Sequence, residues 1–441
     1  MTPEVAGALG ELTRPVSYAG ELLKLRERDI RVGRKAREQD GLLLRDWDHD
    51  LSKDVPRELA RSVPRGDYEL GPVTARQAVI GGKTRTLYRA SITDTLVLGV
   101  VAHAWSRLLE NVLNSRLFSY RAGRSGFVAV REFAAYLQAH RAERPDQRQR
   151  GLFVLRRDVA RYGESIPVHD GAPLFALLER TFTQLALPSD HFLPRLVRAA
   201  VRPLVIQKEG DAPSLLERGV PTGSPIQPSI CNLYLTSLDA ALSAVPGAFY
   251  ARFGDDLLFA HPDPTVARAA SATIEAELTR LGLILKTEKT RDYYFTAAGR
   301  AHPEWTGTQY IEYLGVRIDF TGAIGLTRAK ARRLQQALTQ RIDNSVRVAN
   351  PTPDEALALA AQVTARALDV RLAISDPLLG LLYHAVNDSS QLRHIDYLFA
   401  RTLAQRLSRK RGVRAFRSYS YRALRRAGMP SLVHLKNLAM R

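Results

Sequence analysis

Apolar and polar positions in the first third of the chain predict helices on either side of one β-hairpin. The first seventy residues are polar and predict helix and loop, with basic residues on a solvent face. Short apolar runs on both sides of two adjacent glycines, within residues 72–90, predict the hairpin. Residues 92–140 predict helices interrupted at 119–127, and the polar stretch 141–150 predicts a surface loop.

The middle of the chain alternates between strand and helix patterns. Residues 151–166 begin as an apolar strand that runs into an acid, and residues 174–206 predict helices. The Gly/Pro-rich stretch 217–242 predicts a loop that leads into a helix. An amphipathic helix is expected over residues 266–281, followed by two short strands up to Phe320.

The order of these elements predicts an α+β fold. From Leu326 onwards the pattern is helical, so an all-helical part follows the mixed one. A length of 441 residues is enough for two or three domains, and an apolar content of 45% is enough for packed cores.

Charge sets this chain apart from an ordinary globular protein. Lys and Arg number 64 against 45 Asp and Glu, which gives a formal net charge of +19. Such an excess favours a polyanionic partner, because basic side chains that bind phosphates release condensed counterions. A generally arginine-rich composition, spread over every surface, is the alternative interpretation.

The single cysteine and the short apolar runs exclude several classes of protein. Cys231 alone cannot form an internal disulfide or a cysteine-based metal cluster, and its apolar surroundings favour packing over nucleophilic chemistry. The longest apolar run, around Leu96 to Trp105, is far shorter than the ~18 residues of a membrane span. We therefore expect a cytoplasmic protein without a membrane partner.

Two adjacent acids, Asp255 and Asp256, interrupt the apolar stretch YARFGDDLLFA. A tight turn alone would explain them, since glycine and aspartate tolerate the backbone angles of a hairpin. A site is the other interpretation, because Asp158 ends an earlier apolar strand. Successive side chains of a strand point to opposite faces, so only one of the pair can face Asp158 fully, and we predict Asp255.

Three converging carboxylates would raise one another's pKa unless a cation compensated their charge. Hard divalent ions prefer oxygen ligands, and Mg²⁺ fits such a set, with Mn²⁺ as the alternative. Two ions about 4 Å apart would bind the attacking and leaving oxygens of an in-line phosphoryl displacement. The three acids therefore favour phosphoryl-transfer chemistry.

Six stretches resemble motifs of reverse transcriptases and occur in the order of that family. They are GKTR (82–85), LRRDV (155–159), RGVPTGSPIQPSICNLYLTSLD (218–239), RFGDD (252–256), LGLILKTEKT (281–290) and EYLGV (312–316). One short match would be weak evidence, whereas six in order make the turn-only interpretation of the acid pair unnecessary. The resemblance covers about residues 72–320, more than half of the chain.

The resemblance implies a catalytic set. Asp158, Asp255 and Asp256 would be metal ligands, and Val159 would add its backbone carbonyl. Lys289 would donate a hydrogen bond near the pyrophosphate; a solvated lysine is the alternative.

The resemblance also implies contacts to the nucleotide and the primer. Lys83 and Arg85 would bind the incoming triphosphate, with ordinary surface charge as the alternative. Gly223 and Ser224 would lie beside the templating base pair, and for Ser224 a helix cap is an equal alternative. Residues 312–316 would form the primer grip.

The chain departs from the family pattern at the position that selects the sugar. The family has Phe or Tyr five residues after its first acid, whereas this chain has Gly163 there and Tyr162 one place earlier. Selection against ribonucleotides is expected to weaken, unless Tyr162 or another residue supplies the missing wall. Gly163 as a mere site of backbone bending is the third interpretation. Three milder departures are Thr222 for Gln, Gln227 for Ser and Phe253 for Tyr.

A basic segment over residues 406–426 interleaves positive charge with aromatic rings. This composition suits phosphate contact combined with base stacking, and a solvated charge run is the alternative. The residues predicted to bind nucleic acid are Arg409, Lys410, Arg411, Arg414, Arg417, Tyr419 and Tyr421.

The fold that the resemblance implies is a right-hand polymerase with fingers, an antiparallel-sheet palm and a helical thumb. We expect an N-terminal extension and fingers in residues 1–150 and a palm in 151–325, with fingers helices inserted around 174–216. Residues 326–441 would form the thumb and the basic C-terminal region.

The expected activity is RNA-directed DNA synthesis from an RNA template, with DNA as product. The motifs are similar to those of retron, group II intron-like and defence-associated bacterial enzymes, which implies antiviral defence with a dedicated non-coding RNA or a second defence protein as further partner. One alternative is a polymerase with non-standard output: primer-independent, protein-primed or relaxed in sugar selection. The other is a non-catalytic RNA-binding scaffold.

Overall fold

The computed structural model describes residues 2–32, 51–80, 82–144, 146, 151–208, 210–349, 355–367, 377–429 and 431–434. The chain forms two compact units. The first comprises Met1–Ser125, Leu155–Phe259 and Thr265–Arg291, and the second Gly126–Val154, Ala260–Pro264 and Asp292–Arg441.

Helices occupy most of the N-terminal and C-terminal thirds. Up to the middle of the chain they are α1 (Pro3–Glu11), α2 (Pro15–Val32), α3 (Leu51–Arg65), α4 (Ile92–Leu109), α5 (Gly126–Ala142), α6 (Tyr162–Ser165), α7 (Pro173–Gln184), α8 (Phe192–Val201), α9 (Gln227–Tyr234), α10 (Thr236–Ser243) and α11 (Pro264–Arg280). The later ones are α12 (Arg328–Ala349), α13 (Glu355–Ala367), α14 (Pro377–His384), α15 (Ser389–Ser408), α16 (Val413–Ser418) and α17 (Tyr421–Arg426). No helix in the described part of the chain is long and apolar enough to cross a bilayer.

The strands lie between these two helical parts. They are β1 (Val73–Ile80), β2 (Lys83–Arg89), β3 (Leu152–Asp158), β4 (Leu204–Ile206), β5 (Ser214–Leu215), β6 (Phe249–Phe253), β7 (Asp256–His261), β8 (Arg291–Phe295), β9 (Thr306–Thr308), β10 (Tyr310–Tyr313), β11 (Val316–Asp319) and β12 (Ile324–Leu326). Their sheet orders are β2-β1-β4-β5, β6-β7-β3-β8-β9 and β10-β11-β12.

The core of the first unit surrounds α4. This helix is apolar on nearly every side and buried along most of its length, which is the pattern of a central helix. The side chain of Ser91 caps it by accepting a hydrogen bond from the backbone N–H of Asp94 (2.9 Å). The buried ring of Trp105 lies 5.5 Å from the ring of Phe182 on α7.

The second unit contains the β10-β11-β12 meander and the C-terminal helices. Asp388 starts α15 by accepting hydrogen bonds from the backbone N–H groups of Ser390 and Gln391. The residues between Tyr313 and Val316 form a two-residue hairpin turn in which Leu314 and Gly315 both have positive φ, 47° and 84°. Positive φ at both central residues is typical of the type I′ turn, whose twist matches that of the two antiparallel strands. This turn belongs to the predicted primer grip.

Most predicted elements are present, with differences where strands are short. The hairpin, the helices over 92–140 and the helices after Leu326 are confirmed in the described residues. Residues 204–206 are strand β4 and not helix, because they pair with β1 in parallel. Up to Phe320 there are four strands after α11 where two were predicted, since strands of three or four residues give too few alternations to detect. The loop predicted over 141–150 lies partly outside the described residues.

Candidate active site

A tight turn in the first unit brings the acid pair to the end of β3. Strands β6 and β7 are joined only by Gly254 and Asp255, and Gly254 has a φ of 64°, which favours glycine. Because β7 neighbours β3, the turn lies beside Asp158 at the end of β3. The backbone N–H of Val159 donates to the carbonyl of Asp255 (3.3 Å). The turn and the site are thus the same structure.

The carboxylates of this cluster are partly buried and repel one another. Burial and, after it, the charge of Asp158 raise the pKa of Asp255. Burial likewise raises the pKa of Asp256, although the guanidinium of Arg156 opposes this shift. The Arg156 Nη2 lies 3.4 Å from the Asp256 Oδ1. Sequence reasoning missed Arg156, whose only signal was an arginine within an apolar strand.

Lys289 is the second basic side chain at the cluster. Its ammonium donates to the carboxylate of Asp158, and the backbone N–H of Lys286 donates to the Asp158 carbonyl (2.8 Å). Although burial alone would lower it, the pKa of Lys289 is raised, because the ammonium bonds Asp158 and lies near the acid pair. Lys289 is therefore bonded to the acid cluster although its side chain is 44% exposed, and its role near the pyrophosphate stays a prediction.

The donor set can be compared with what a divalent cation needs. Three carboxylates whose charges oppose one another suit a hard cation with oxygen ligands. In the described ranges, no group of three or more His, Cys, Asp or Glu side chains is already gathered as a metal site. Instead, Asp158 contacts Lys289 and Asp256 contacts Arg156, so basic side chains compensate the carboxylates. The metal-ligand roles, including that of the Val159 carbonyl, stay predictions.

A fully buried ion pair is bonded to the backbone of the turn. Both Arg252 on β6 and Asp239 on α10 have side chains with 0% exposure, and they are joined at 2.6 and 2.7 Å. The hydroxyl of Tyr250 also donates to Asp239 (2.7 Å). Arg252 donates further to the backbone carbonyls of Asn232 (2.8 Å) and Gly254 (3.2 Å). The guanidinium thereby fixes Gly254 relative to α9 and α10.

A second polar contact fixes the other side of the turn. The backbone N–H of Gly254 donates to the hydroxyl of Ser119 (2.9 Å). That hydroxyl donates to the Asn232 side chain (2.9 Å), which returns a hydrogen bond to the Ser119 carbonyl (2.8 Å). Sequence reasoning missed Ser119, Asn232, Asp239 and Arg252, since residues far apart in the chain meet here.

The predicted triphosphate contacts lie on the β1–β2 hairpin. Lys83 and Arg85 are exposed and, being two residues apart on β2, lie on the same face. Arg76 on β1 lies opposite Leu87 and belongs to the same face, which sequence reasoning did not identify. The backbone N–H of Tyr88 donates to the carbonyl of Thr222 (2.9 Å) and joins this hairpin to the Gly/Pro-rich loop.

The Gly/Pro-rich loop contains two of the predicted nucleotide contacts. Gly223 has a φ of 103°, which disfavours any other residue. Ser224 does not cap α9, because Ile226 is the N-cap and no side chain caps it. The hydroxyl oxygen of Ser224 is buried without a hydrogen-bond partner among the described residues. The helix-cap interpretation of Ser224 is therefore wrong.

Tyr162 does not provide a wall for the sugar. Its ring is buried, and its hydroxyl donates to the backbone carbonyl of Cys231 (2.5 Å). Burial raises the pKa of Tyr162 well above its usual value. Burial also raises the pKa of the Cys231 thiol to about 12, as expected of a packing residue and not of a nucleophile.

Backbone bending does not explain Gly163 either. Gly163 lies inside α6 and is not among the positive-φ glycines. A Cβ on Gly163 would lie only 2.8 Å from the Nε2 of Gln227. In this arrangement the Gln227 side chain occupies the space beside Gly163, so a side chain at position 163 would displace the amide.

The predicted nucleic-acid residues of the second unit lie between α15 and α16, on or just after α16, and at the start of α17. Tyr419 is half-buried, and the other six are exposed: Arg409, Lys410, Arg411, Arg414, Arg417 and Tyr421. The ring of Phe416 lies 5.9 Å from that of Tyr397, and the guanidinium of Arg401 lies over Tyr397 at 5.8 Å. The surface thus combines positive charge with aromatic rings.

Comparisons with solved structures found distant similarities. The chain is similar to telomerase of Candida albicans with a fragment of telomeric RNA (TM-score 0.45, 12% identity, covering 86% of this chain and 65% of that one). The corresponding values for Candida tropicalis telomerase with such a fragment are 0.47, 11%, 85% and 65%. For a truncated apo form of that enzyme they are 0.45, 12%, 58% and 55%. The chain spans less than two thirds of these structures, and no curated protein matches its sequence.

The family comparison concerns the central part of the chain. Residues 175–318 match the family model of reverse transcriptase (RNA-dependent DNA polymerase). The matched range contains Asp255, Asp256 and Lys289, and it ends within the β10-β11-β12 meander. The mixed α/β fold with antiparallel strands is that of the predicted right-hand polymerase. Residues 175–318 of this chain are therefore similar to a reverse transcriptase domain.

Proposed function

We propose that the protein is an RNA-directed DNA polymerase that adds nucleotides to a primer. In this reaction a 3′-hydroxyl attacks the α-phosphate of a nucleoside triphosphate and pyrophosphate leaves. The single observation that carries the proposal is the meeting of Asp158, Asp255 and Asp256 at the end of β3, with Lys289 bonded to the cluster.

Asp158, Asp255 and Asp256 would hold two Mg²⁺ ions, or Mn²⁺, with the Val159 carbonyl as a further ligand. Bound divalent ions stabilise negative charge on the phosphoryl oxygens and lower the pKa of a coordinated hydroxyl. The buried Arg252 keeps the turn in register, so that Asp255 stays beside Asp158.

Three basic side chains would neutralise the triphosphate. Lys83 and Arg85 present positive charge from one face of β2, and such charge lowers the barrier where negative charge develops. Lys289 would turn from Asp158 to the leaving pyrophosphate and donate a proton or a hydrogen bond there.

The proposal is tested by primer extension with the purified protein on matched RNA and DNA templates. Extension with dNTPs that needs the RNA template supports it, and failure on both templates contradicts it.

Removal of the basic side chains on β2 should weaken nucleotide binding. Lys83→Ala and Arg85→Ala are each expected to raise the KM for dNTP by about 10–100-fold, because a charge-assisted contact contributes roughly 1.5–3 kcal/mol. Steady-state primer extension measures this effect. Thr84→Ala, on the opposite face of the same strand, is the control and should leave the KM unchanged. An equal effect of all three variants would show that the hairpin acts only structurally.

We propose that the basic surface of the second unit binds the template–primer duplex. The triple variant Arg411→Gln/Arg414→Gln/Arg417→Gln should reduce the slope of log affinity against log salt by about 2–3, because each phosphate contact contributes about 0.7–0.9. Fluorescence anisotropy at several salt concentrations measures the slope.

A matched control has the same change of charge on α3. Arg57→Gln/Arg61→Gln/Arg65→Gln likewise removes three exposed arginines, here from one helix. Equal changes of slope in the two triple variants would mean that only net charge matters, and the proposed surface would be wrong.

The biological setting belongs to the same proposal: a cytoplasmic bacterial antiviral enzyme with an RNA template, a DNA product and a non-coding RNA or second defence protein as partner. It is supported by the resemblance of the motifs to defence-associated enzymes. Sequencing of the nucleic acid that copurifies with the protein identifies the template. Phage plaque counts on cells with the wild-type gene and with Asp255→Asn test the defence role, and equal counts would contradict it.

A further inference from the structure

The side chain of Gln227 occupies the space that a side chain at position 163 would need. The Nε2 of Gln227 would lie 2.8 Å from a Cβ at Gly163, and the Sγ of Cys231 would lie 3.5 Å from it. A side chain of ordinary size at position 163 therefore cannot coexist with this position of the Gln227 amide. Both residues are only half-buried, so the pair lies at a partly solvent-accessible surface.

Two acceptors fix the orientation of the Gln227 amide. Its Nε2 donates to the carbonyl of Val220 (3.4 Å) and to the hydroxyl of Thr222 (3.2 Å). Because a carbonyl can only accept, the amide nitrogen must face Val220. The Oε1 then faces the other way, and the described residues offer it no hydrogen-bond donor. It is an accessible acceptor held in one direction.

The position of this acceptor relates it to the nucleotide. Gly163 follows Asp158 after one short turn, and its carbonyl accepts from the backbone N–H of Val220 (2.8 Å). The same loop is joined through Thr222 to β2, which carries Lys83 and Arg85. A nucleotide whose phosphates lay between the carboxylates and the basic hairpin would have its sugar near the surface that connects them. The Gln227 amide belongs to that surface.

We propose that Gln227 is the residue that selects the sugar, and that its Oε1 accepts a hydrogen bond from the 2′-hydroxyl of a ribonucleotide. The inference rests on the proposed function. An aromatic ring would exclude the 2′-hydroxyl by contact, whereas the Gln227 amide, which fills the space beside Gly163, offers it a hydrogen-bond acceptor. The protein therefore uses ribonucleotides as well as deoxyribonucleotides.

The test compares kcat/KM for ATP and dATP on the same primed RNA template. The wild-type ratio of the two values should lie within about tenfold of unity. Gln227→Ala should lower the ATP:dATP ratio by about tenfold, the effect of one lost hydrogen bond at an accessible site. Gln184→Ala, an exposed glutamine at the end of α7, is the control and should leave the ratio unchanged.

The glycine provides an independent arm. Gly163→Ala should displace the amide and lower the ratio like Gln227→Ala, and the double variant should show no further loss, because both changes remove the same contact. Equal losses for ATP and dATP in Gln227→Ala would overturn the inference, and so would strict selection of dATP by the wild type.

Failure of the proposed function is distinguishable from failure of this inference. The proposed function fails if the wild type shows no nucleotide incorporation that depends on Asp255. Calorimetric binding of ATP and dATP in the presence of Mg²⁺ then decides the inference. A preference for ATP that Gln227→Ala removes supports it, and equal binding of the two nucleotides by the wild type overturns it.

Discussion

Asp255→Asn is expected to lower nucleotide incorporation by about 10³-fold or more while leaving the fold intact. The loss follows from removing one of three charges that would hold the catalytic cations, a contribution of roughly 4 kcal/mol to the barrier. The free energy of unfolding should stay at the wild-type value or rise slightly, since burial and Asp158 both oppose the charge of Asp255. Primer extension under single-turnover conditions, together with urea unfolding, measures both quantities.

A matched acid-to-amide change separates a local effect from a general one. Asp190→Asn removes an exposed charge ahead of α8, and we expect it to leave incorporation within about twofold of wild type, as surface substitutions usually do. Full incorporation by Asp255→Asn would refute the proposed active site. Undiminished biological activity of that variant would favour the non-catalytic RNA-binding scaffold instead.

Arg252→Met is expected to destabilise the protein by about 3–5 kcal/mol. Arg252 and Asp239 are both completely buried, so removal of the guanidinium leaves an uncompensated carboxylate in the core. The change also removes the hydrogen bond to the Gly254 carbonyl that fixes the acid turn. Incorporation by the folded fraction should therefore fall as well. Urea unfolding measures the free energy, and activity per folded molecule measures the second effect.

Two further variants test the cause. Arg252→Met/Asp239→Leu removes both charges and should recover much of the lost stability, because no unpaired charge remains in the core. Activity should recover less, since the contact to Gly254 is still missing. Arg61→Met, at an exposed position of α3, should unfold like the wild type. If Arg252→Met also unfolded like the wild type, the ion pair would contribute nothing to the stability of the protein.

Much of the catalytic region could be predicted because its signals are local. A carboxylate at the end of an apolar strand, and two more within an apolar hairpin, conflict with burial and so indicate a site. The hairpin of β6 and β7 and that of β1 and β2 follow from glycine at the turns and apolar residues on both sides. The sequence order of these motifs therefore predicted both the family and the cluster of acids.

Short strands and the limits of compact units could not be predicted. Strands β9 and β12 have three residues each, too few for a period-two pattern, and they form through pairing with neighbouring strands. The expected division into fingers, palm and thumb stays a prediction. The two compact units interleave along the chain, because residues distant in sequence pack together.

By itself, the sequence indicated which chemistry this protein could perform, because it contains three carboxylates, two lysines and an arginine in motifs that resemble those of a polymerase, on a chain with a large positive charge. Only the tertiary structure decided which contacts hold the side chains of that site in place. The pairing of Arg252 with Asp239, and of Gln227 with Gly163, joins residues from different elements. No local pattern encodes such contacts, because burial and close approach arise only when the elements pack.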